Sequence, residues 1–341
     1  MVSTFLPTCP LTNRGNVHCL QLIPAQEIIK LYRRAEIDVA QEFSGVDEIG
    51  FYHAEESGLK FFYPAVCGSP KFYADLQRRG AYYESEKFEF QVAAKYLPKY
   101  QLKGARILEV GCGDGAFAKT IALKSPEKSS EKSIDYVGLE SNPEAVKSAN
   151  ACGLNVILRT VEDQKRLREP LFDAVCAFQV VEHVQDVRGF IQTMIDLLLP
   201  EGLLILSVPN DDAYIGKALN NLFNLPPHHV TRWSEKSLQN IAKVFSLKLL
   251  SLQREPLPQA QRHWFEQVMA IEAWRIKNAP SYTRVVDLRL RTRVAMKVAT
   301  LFSSQHRKNL NPEYGHTAVA IYQKPIDDKW QESSESKSEG K

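Results

Sequence analysis

Between residue 101 and about residue 250, short apolar runs alternate with stretches whose apolar positions recur every three or four residues. That alternation predicts βαβ units and a largely parallel sheet. The expected strands are 105–110 (ARILEV), 135–140 (DYVGLE), 155–158, 172–178 (FDAVCAF) and 203–208 (LLILSV). Helices are expected at 116–123, at 143–151 and at 187–199. Asn142 caps the second with Pro143 at its first position, and Pro200 and Gly202 stop the third. The run 317–322 reads as one more strand. A doubly wound sheet of this kind takes its ligand at the carboxyl ends of its strands.

The flanks have a different texture. Residues 1–100 are rich in aromatics and broken by Pro and Gly, residues 251–310 read as helical with a basic end, and the tail 326–341 is polar and of low complexity, hence disordered. The segment 124–132 (KSPEKSSEK) is a charged surface loop. Of the 341 residues 44% are apolar and 24% charged, enough for a sizeable core, so a wholly disordered chain is excluded. A net charge of +3 carries no nucleic-acid signature. No apolar run approaches the ~18 residues of a membrane span, and the first residues lack the basic start and apolar stretch of a secretory signal. The six cysteines have no paired spacing, which fits a reduced, cytoplasmic protein.

The most informative stretch is ILEVGCGDGAF at 107–117. Gly111, Gly113 and Gly115 follow a strand and open a helix, where glycine allows positive φ and a close ligand approach. By itself the loop also satisfies the dinucleotide fingerprint G-x-G-x-x-G/A, with Ala116 in the last place. Glu109 precedes the loop by two residues, and Glu140 ends the next strand.

Together these features resemble the class I S-adenosylmethionine (SAM)-dependent methyltransferases, and within them a methyltransferase-domain group related to ubiquinone-pathway and sugar methyltransferases. The resemblance covers roughly 100–250 and the run GHTAVAIYQKP at 315–325. It implies a Rossmann-like, doubly wound α/β fold with a seven-stranded sheet whose last strand is antiparallel. Residues 101–325 would form the SAM-binding domain with a helical insertion at about 251–310, and residues 1–100 a small subdomain whose helix, starting near Tyr82, Tyr83 and 88–92, roofs the site. By the resemblance, Gly111, Cys112, Gly113 and Gly115 cradle the methionine end of the cofactor, Glu109 favours its positive charge, and Glu140 and Ser141 meet the ribose. A carboxylate there can accept from both ribose hydroxyls. Val161 and Glu162 would lie beside the adenine, through a backbone amide and an edge contact. Phe178 and Gln179 would line the pocket near the transferable methyl.

On the acceptor side, FNLPPHHVTRWS at 223–234 resembles the Pro-His segment that related chains place over the active site. An imidazole titrates near neutrality and can take a proton from an attacking hydroxyl or amine. His229 is the first candidate and His228 the second; the other reading is that both cap a helix or bind backbone. Glu182 and His183 repeat a Glu-His pair common in these families. Neighbours on a helix face different ways, so this pair predicts no metal site, and His183 reads as a packing or loop-anchoring residue. Either Thr231 or Ser234 caps the next helix.

Related N-terminal regions carry a zinc knuckle. Here Cys9 is followed by Thr12, and Ala54 and Ser57 stand in the other two cysteine positions, so the expectation is a metal-free relic, since structural zinc needs four ligands. In 284–308 the apolar positions Val286, Leu290, Val294, Val298 and Leu301 predict an amphipathic helix packed over the acceptor cleft. Its positive charge also suits an anionic acceptor or weak contact with an acidic membrane surface. The expected reaction is SAM-dependent methylation of a small molecule at O, N or C, giving S-adenosylhomocysteine, with no nucleic-acid partner. A nicotinamide-dependent reductase and a non-catalytic SAM-binding protein remain the alternatives, and the oligomeric state is open.

Overall fold

A computed structural model describes residues 7–78, 87–97, 104–124, 134–278, 284–302 and 314–326. The elements in chain order are β1 (His18–Pro24), α1 (Ala25–Arg34), β2 (Glu48–Ala54), β3 (Leu59–Tyr63), α2 (Pro70–Arg78), α3 (Phe88–Tyr96), β4 (Arg106–Val110), α4 (Ala116–Lys124), β5 (Asp135–Glu140), α5 (Pro143–Ala151), β6 (Val156–Leu158), α6 (Val161–Arg166), β7 (Phe172–Phe178), α7 (Val187–Asp196), β8 (Leu198–Pro209), α8 (Tyr214–Lys217), β9 (Thr231–Arg232), α9 (Glu235–Val244), β10 (Lys248–Arg254), α10 (Arg262–Asn278), α11 (Leu290–Phe302) and β11 (Thr317–Gln323).

Seven strands form one sheet in the order β10-β11-β8-β7-β4-β5-β6. β6, β5, β4, β7 and β8 are mutually parallel, and β11 runs antiparallel between β8 and β10. The expected Rossmann-like sheet with an antiparallel last strand is therefore present. Its central strands read as continuous apolar runs because helices cover both faces. Asn142 caps α5 by accepting from the Glu144 amide, and Ser234, not Thr231, caps α9.

Two boundaries differ from expectation. α7 stops at Asp196 and β8 begins at Leu198, before Pro200 rather than after it. Leu198 pairs with Phe172 and is fully buried there, and Glu201 takes φ +60°, so the strand absorbs the proline in an irregular register. β10 occupies 248–254, which the sequence pattern divided between the α/β region and a helical one. It is an edge strand with half-buried side chains and so lacks a strong apolar signature.

The N-terminal residues build a second, four-stranded antiparallel sheet, β1-β2-β3-β9, whose last member comes from the far side of the chain. Ile23, Ile28, Tyr32, Phe51, Phe62 and Phe72 form its core together with Leu225, Val285 and Val286. Leu11, Leu59 and Phe61 instead join the core of the large sheet. Where the knuckle would be, Cys9 Sγ lies 3.3 Å from Ser57 Oγ, so one retained thiol meets a replaced one. The two sheets are also tied by charge. Asp211, almost fully buried, takes Lys60 Nζ at 2.7 Å and Arg232 Nε at 2.6 Å. Burial pushes the Asp211 carboxyl up, but Arg232 and Lys60 together hold it below its ordinary value.

α11 does not turn its apolar stripe inward. Leu290, Val294 and Val298 are exposed, and the helix buries Thr292 and Ala295 instead, while Val286 just before it is buried in the N-terminal core. The expected loop 125–132, the start of the roofing helix at Tyr82 and Tyr83, Leu301 and the tail 327–341 lie outside the described residues or side chains.

Candidate active site

A cavity of about 790 Å³ opens at the carboxyl ends of β4, β5, β7 and β8. Glu109, Gly111, Cys112, Gly113, Glu140, Ser141, Phe178, Gln179, His228 and His229 all line it. Lys87 and Phe90, at the start of α3, border it too, so the expected roof comes from this helix. Glu182 borders it as well, and residues that the sequence pattern did not single out complete the wall, among them Ile215, Trp264 and His316.

The loop after β4 is built from three glycines with different duties, all at positive φ. A Cβ on Gly111 would meet Val180 Cγ2 at 2.6 Å, and one on Gly115 would meet Leu154 Cδ1 at 2.2 Å. Gly115 does not border the cavity; its missing side chain admits α5 and the Leu154 turn behind the loop. Gly113, at φ +56°, faces the cavity, and its amide donates to Glu140 Oε2 at 2.8 Å. The other carboxylate oxygen of Glu140 accepts from the amides of Ser141 at 2.8 Å and Asn142 at 2.9 Å. Glu140 thus fastens the tip of β5 to the glycine loop at the cavity wall.

Two further carboxyls are buried in the same wall. Glu109 is 2% exposed and accepts from the Tyr136 hydroxyl. Burial raises it to about 8, against the pull of Tyr136 and the Lys87 ammonium. Glu182 is 1% exposed, and neither of its oxygens has a hydrogen-bond partner. Burial raises it also to about 8. Burying a carboxyl without a counter-charge costs several kcal/mol, so such a wall favours a cationic ligand.

Gln179 sits directly beyond β7 at φ +58°, a strained position for a residue with a side chain. Its amide donates to Ser207 O at 3.0 Å, which fixes the turn into the cavity. Phe178 packs edge-on against Phe117, with ring centroids 4.9 Å apart. Of the residues expected near adenine, Val161 is buried in the main core. Glu162 is exposed on the first turn of α6, and neither residue borders the cavity.

The other end of the cavity is dominated by histidines. After β7 a single 3₁₀ turn, Val181–His183, carries Glu182 and His183, whose side chains approach to 3.9 Å. The two side chains therefore come within reach of one another although they are neighbours in sequence. His183 Nδ1 donates to the His228 carbonyl at 2.5 Å. The amide of Val230 donates to the Glu182 carbonyl at 2.9 Å, and Thr231 Oγ1 donates to Val181 O at 3.3 Å. These ties hold His228 and His229 against His183, with ring centroids 4.7 and 4.9 Å away. Burial lowers His183 to about 4 and His228 to about 3, and holds His229 well below its ordinary value, so all three rings are neutral near pH 7.

Residues 85–252 match a family model described as "Methyltransferase domain". This segment is a methyltransferase domain. Its β4–loop–α4 unit, the acid of β5 and the turn after β7 all fall inside the matched residues. Similar curated proteins are the ubiquinone biosynthesis O-methyltransferases of Rickettsia canadensis, 31% identical over 142 residues, and of Azorhizobium caulinodans, 35% identical over 115 residues. The first match covers 40% of this chain and 55% of the relative, the second 32% and 42%, so the chain spans about half the length of the curated relatives it matches. Among solved structures, the plantazolicin methyltransferase BamL, in complex with a triazolic desmethylPZN analog and SAH, aligns over 88% of this chain and 96% of its own at 13% identity and TM-score 0.45. Among the described residues of the chain, no helix is long and apolar enough to cross a membrane.

Proposed function

We propose that the chain is a SAM-dependent methyltransferase acting on a small-molecule acceptor. The observation that carries this reading is the single cavity shared by the glycine loop, Glu140, two buried carboxyls and the histidine cluster. SAM supplies a sulfonium-bound methyl and its own leaving group, so the protein's task is alignment and charge. The positive-φ loop at Gly111 and Gly113 gives backbone to the methionine moiety, Glu140 bonds the ribose diol, and Glu109 faces the ammonium and sulfonium charges. Phe178 and Gln179 bound the space where the methyl must travel. The walls that enclose the acceptor exclude water from the in-line path.

His229 and His228 are the proposed acceptor-side groups. As neutral rings they accept a hydrogen bond from the nucleophile's O–H or N–H and turn its lone pair toward the methyl. The antiparallel β11 between β8 and β10 argues against the nicotinamide reductase, whose dinucleotide sheet runs 3-2-1-4-5-6. Calorimetry with S-adenosylhomocysteine and with NADH tests the cofactor; saturable binding of NADH alone refutes the proposal. Incubation with methyl-labelled SAM and a metabolite extract tests turnover, and the absence of any labelled product leaves a binding protein instead.

A further inference from the structure

The histidine cluster has more order than hydrogen bonding to an acceptor requires. One nitrogen or more from each of His183, His228 and His229 lies within 4.8 Å of the others, the one such triple of metal-capable side chains among the described residues. Two nitrogens on one zinc ion stand about 3.4 Å apart, given bonds of about 2.0–2.1 Å, so small ring rotations close the gap. We propose that His183, His228 and His229, with the Glu182 carboxylate as fourth ligand, form a binding site for a divalent transition-metal ion of the zinc or cobalt kind.

Three independent features point there. First, the Nδ1 atoms of His183 and His228 face backbone carbonyls, His228 O at 2.5 Å and Phe223 O at 3.0 Å. A carbonyl only accepts, so these rings carry their proton on Nδ1 and offer the Nε2 lone pair, the arrangement that orients metal-bound imidazoles. His229 Nδ1 lies 3.3 Å from the side-chain amide of Asn224, whose oxygen must face it for this ring also to offer Nε2; turned the other way, the amide nitrogen donates to Nδ1 and Arg232 donates to the amide oxygen. Second, both oxygens of Glu182 are buried without a hydrogen-bond partner, and Oε1 lies 3.9 Å from His183 Nε2. A cation beside them supplies the missing counter-charge. Third, the ties from Val230 to Glu182 and from Thr231 to Val181 fix the two ligand-bearing turns before any ion arrives.

The donor set also selects the ion. Three imidazoles and one carboxylate suit zinc, cobalt, nickel or iron, whereas magnesium and calcium prefer all-oxygen sites. The cluster borders the cavity, so an oxygen or nitrogen of the acceptor can complete the coordination. The inferred acceptor is then one that offers the ion an oxygen or nitrogen donor beside its nucleophile. This last step rests on the methyltransferase reading, while the metal site does not.

The test is titration of the metal-stripped full chain with Co²⁺, followed by visible absorption and equilibrium dialysis. The expected result is one ion per chain with d–d bands, and uptake more than about tenfold weaker in each of His183→Gln and His229→Gln, as loss of a ligand requires. Zn²⁺ should displace the cobalt and Mg²⁺ should not. Sub-stoichiometric uptake, or uptake unchanged in both variants, overturns the site. X-ray absorption on the unmutated Co²⁺ protein covers the case of a variant that does not fold: an imidazole shell supports the proposal and a sulfur shell refutes it. S-adenosylhomocysteine affinity, measured separately, reports on the methyltransferase reading, so the two can fail independently.

Discussion

On the proposed reading, cofactor binding should release a proton from Glu109. Its carboxyl is 2% exposed and raised to about 8 by burial, so at pH 6.5 the free protein holds it neutral. The groups that face it are Tyr136, Cys112, Lys87, Glu140 and Asp114, and Lys87 is the one cation among them. A ligand carrying ammonium and sulfonium charge favours the ionised form. At pH 6.5 ionisation lies about 1.5 units uphill, or roughly 2 kcal/mol, equivalent to about a thirtyfold loss of affinity relative to a pre-ionised site. Affinity for SAM should therefore rise up to about tenfold per pH unit from 5.5 to 7.5 and flatten near 8. Glu182 titrates in the same range, so the diagnostic variant is Glu109→Gln. Calorimetry at pH 6.5 in buffers of different ionisation enthalpy counts the protons released, and Glu109→Gln should lower the count by about one. An unchanged count, or proton uptake by the unmutated protein, would refute the assignment. The same shift acts on folding. A carboxyl raised above its unfolded value of 4.5 favours the folded state most at low pH and withdraws that support as pH climbs from about 4.5 to 8. Without ligand, Glu109→Gln should accordingly melt higher than the unmutated chain at pH 7.

Three further substitutions separate binding from folding. Glu140→Ala removes the acceptor of the Gly113, Ser141 and Asn142 amides and should weaken cofactor binding by about 1.5–3 kcal/mol in calorimetry; unchanged affinity would move the ribose contact elsewhere. Gly115→Ala places a Cβ against Leu154 at φ +79° and should cost about 1–3 kcal/mol in urea unfolding, although the position does not border the cavity. Asp211→Ala leaves the buried Arg232 without its counter-charge and should destabilise the chain by about 3–5 kcal/mol, with a loss below 1 kcal/mol counting against the buried pair.

Local signals made the large sheet readable. Apolar runs bounded by glycine, an Asn-Pro helix start and a glycine loop followed by an acid are all short-range features, and β4, β5, β7, α5 and β11 form where they predict. β10 and the first turn of β8 escaped because an edge strand and a proline-bearing strand lack that signature. The cofactor end of the cavity shares this legibility, since Gly113 and Glu140 lie in consecutive βα turns. The acceptor end does not. His183 and His228 are 45 residues apart, and their meeting depends on a 3₁₀ turn and on one carbonyl bond that no spacing encodes. The burial of Glu182 without a partner is likewise a property of the assembled walls. The stripe at Leu290, Val294 and Val298 misled in the opposite direction: helical spacing marks one side of α11 but does not say which way that side turns.

Strand β9 is two residues long, yet it joins the first tier of the molecule to the last wall of the reaction chamber. Tyr32, far upstream, grips the same passage by donating to the carbonyls of Leu222 and Leu225. The opening quarter of the chain is thus masonry behind the cavity, and trimming it away would leave a chamber without a back. Changes of acceptor taste in chains built this way should then arise as matched pairs, one partner in the front tier and the other in the passage after β8.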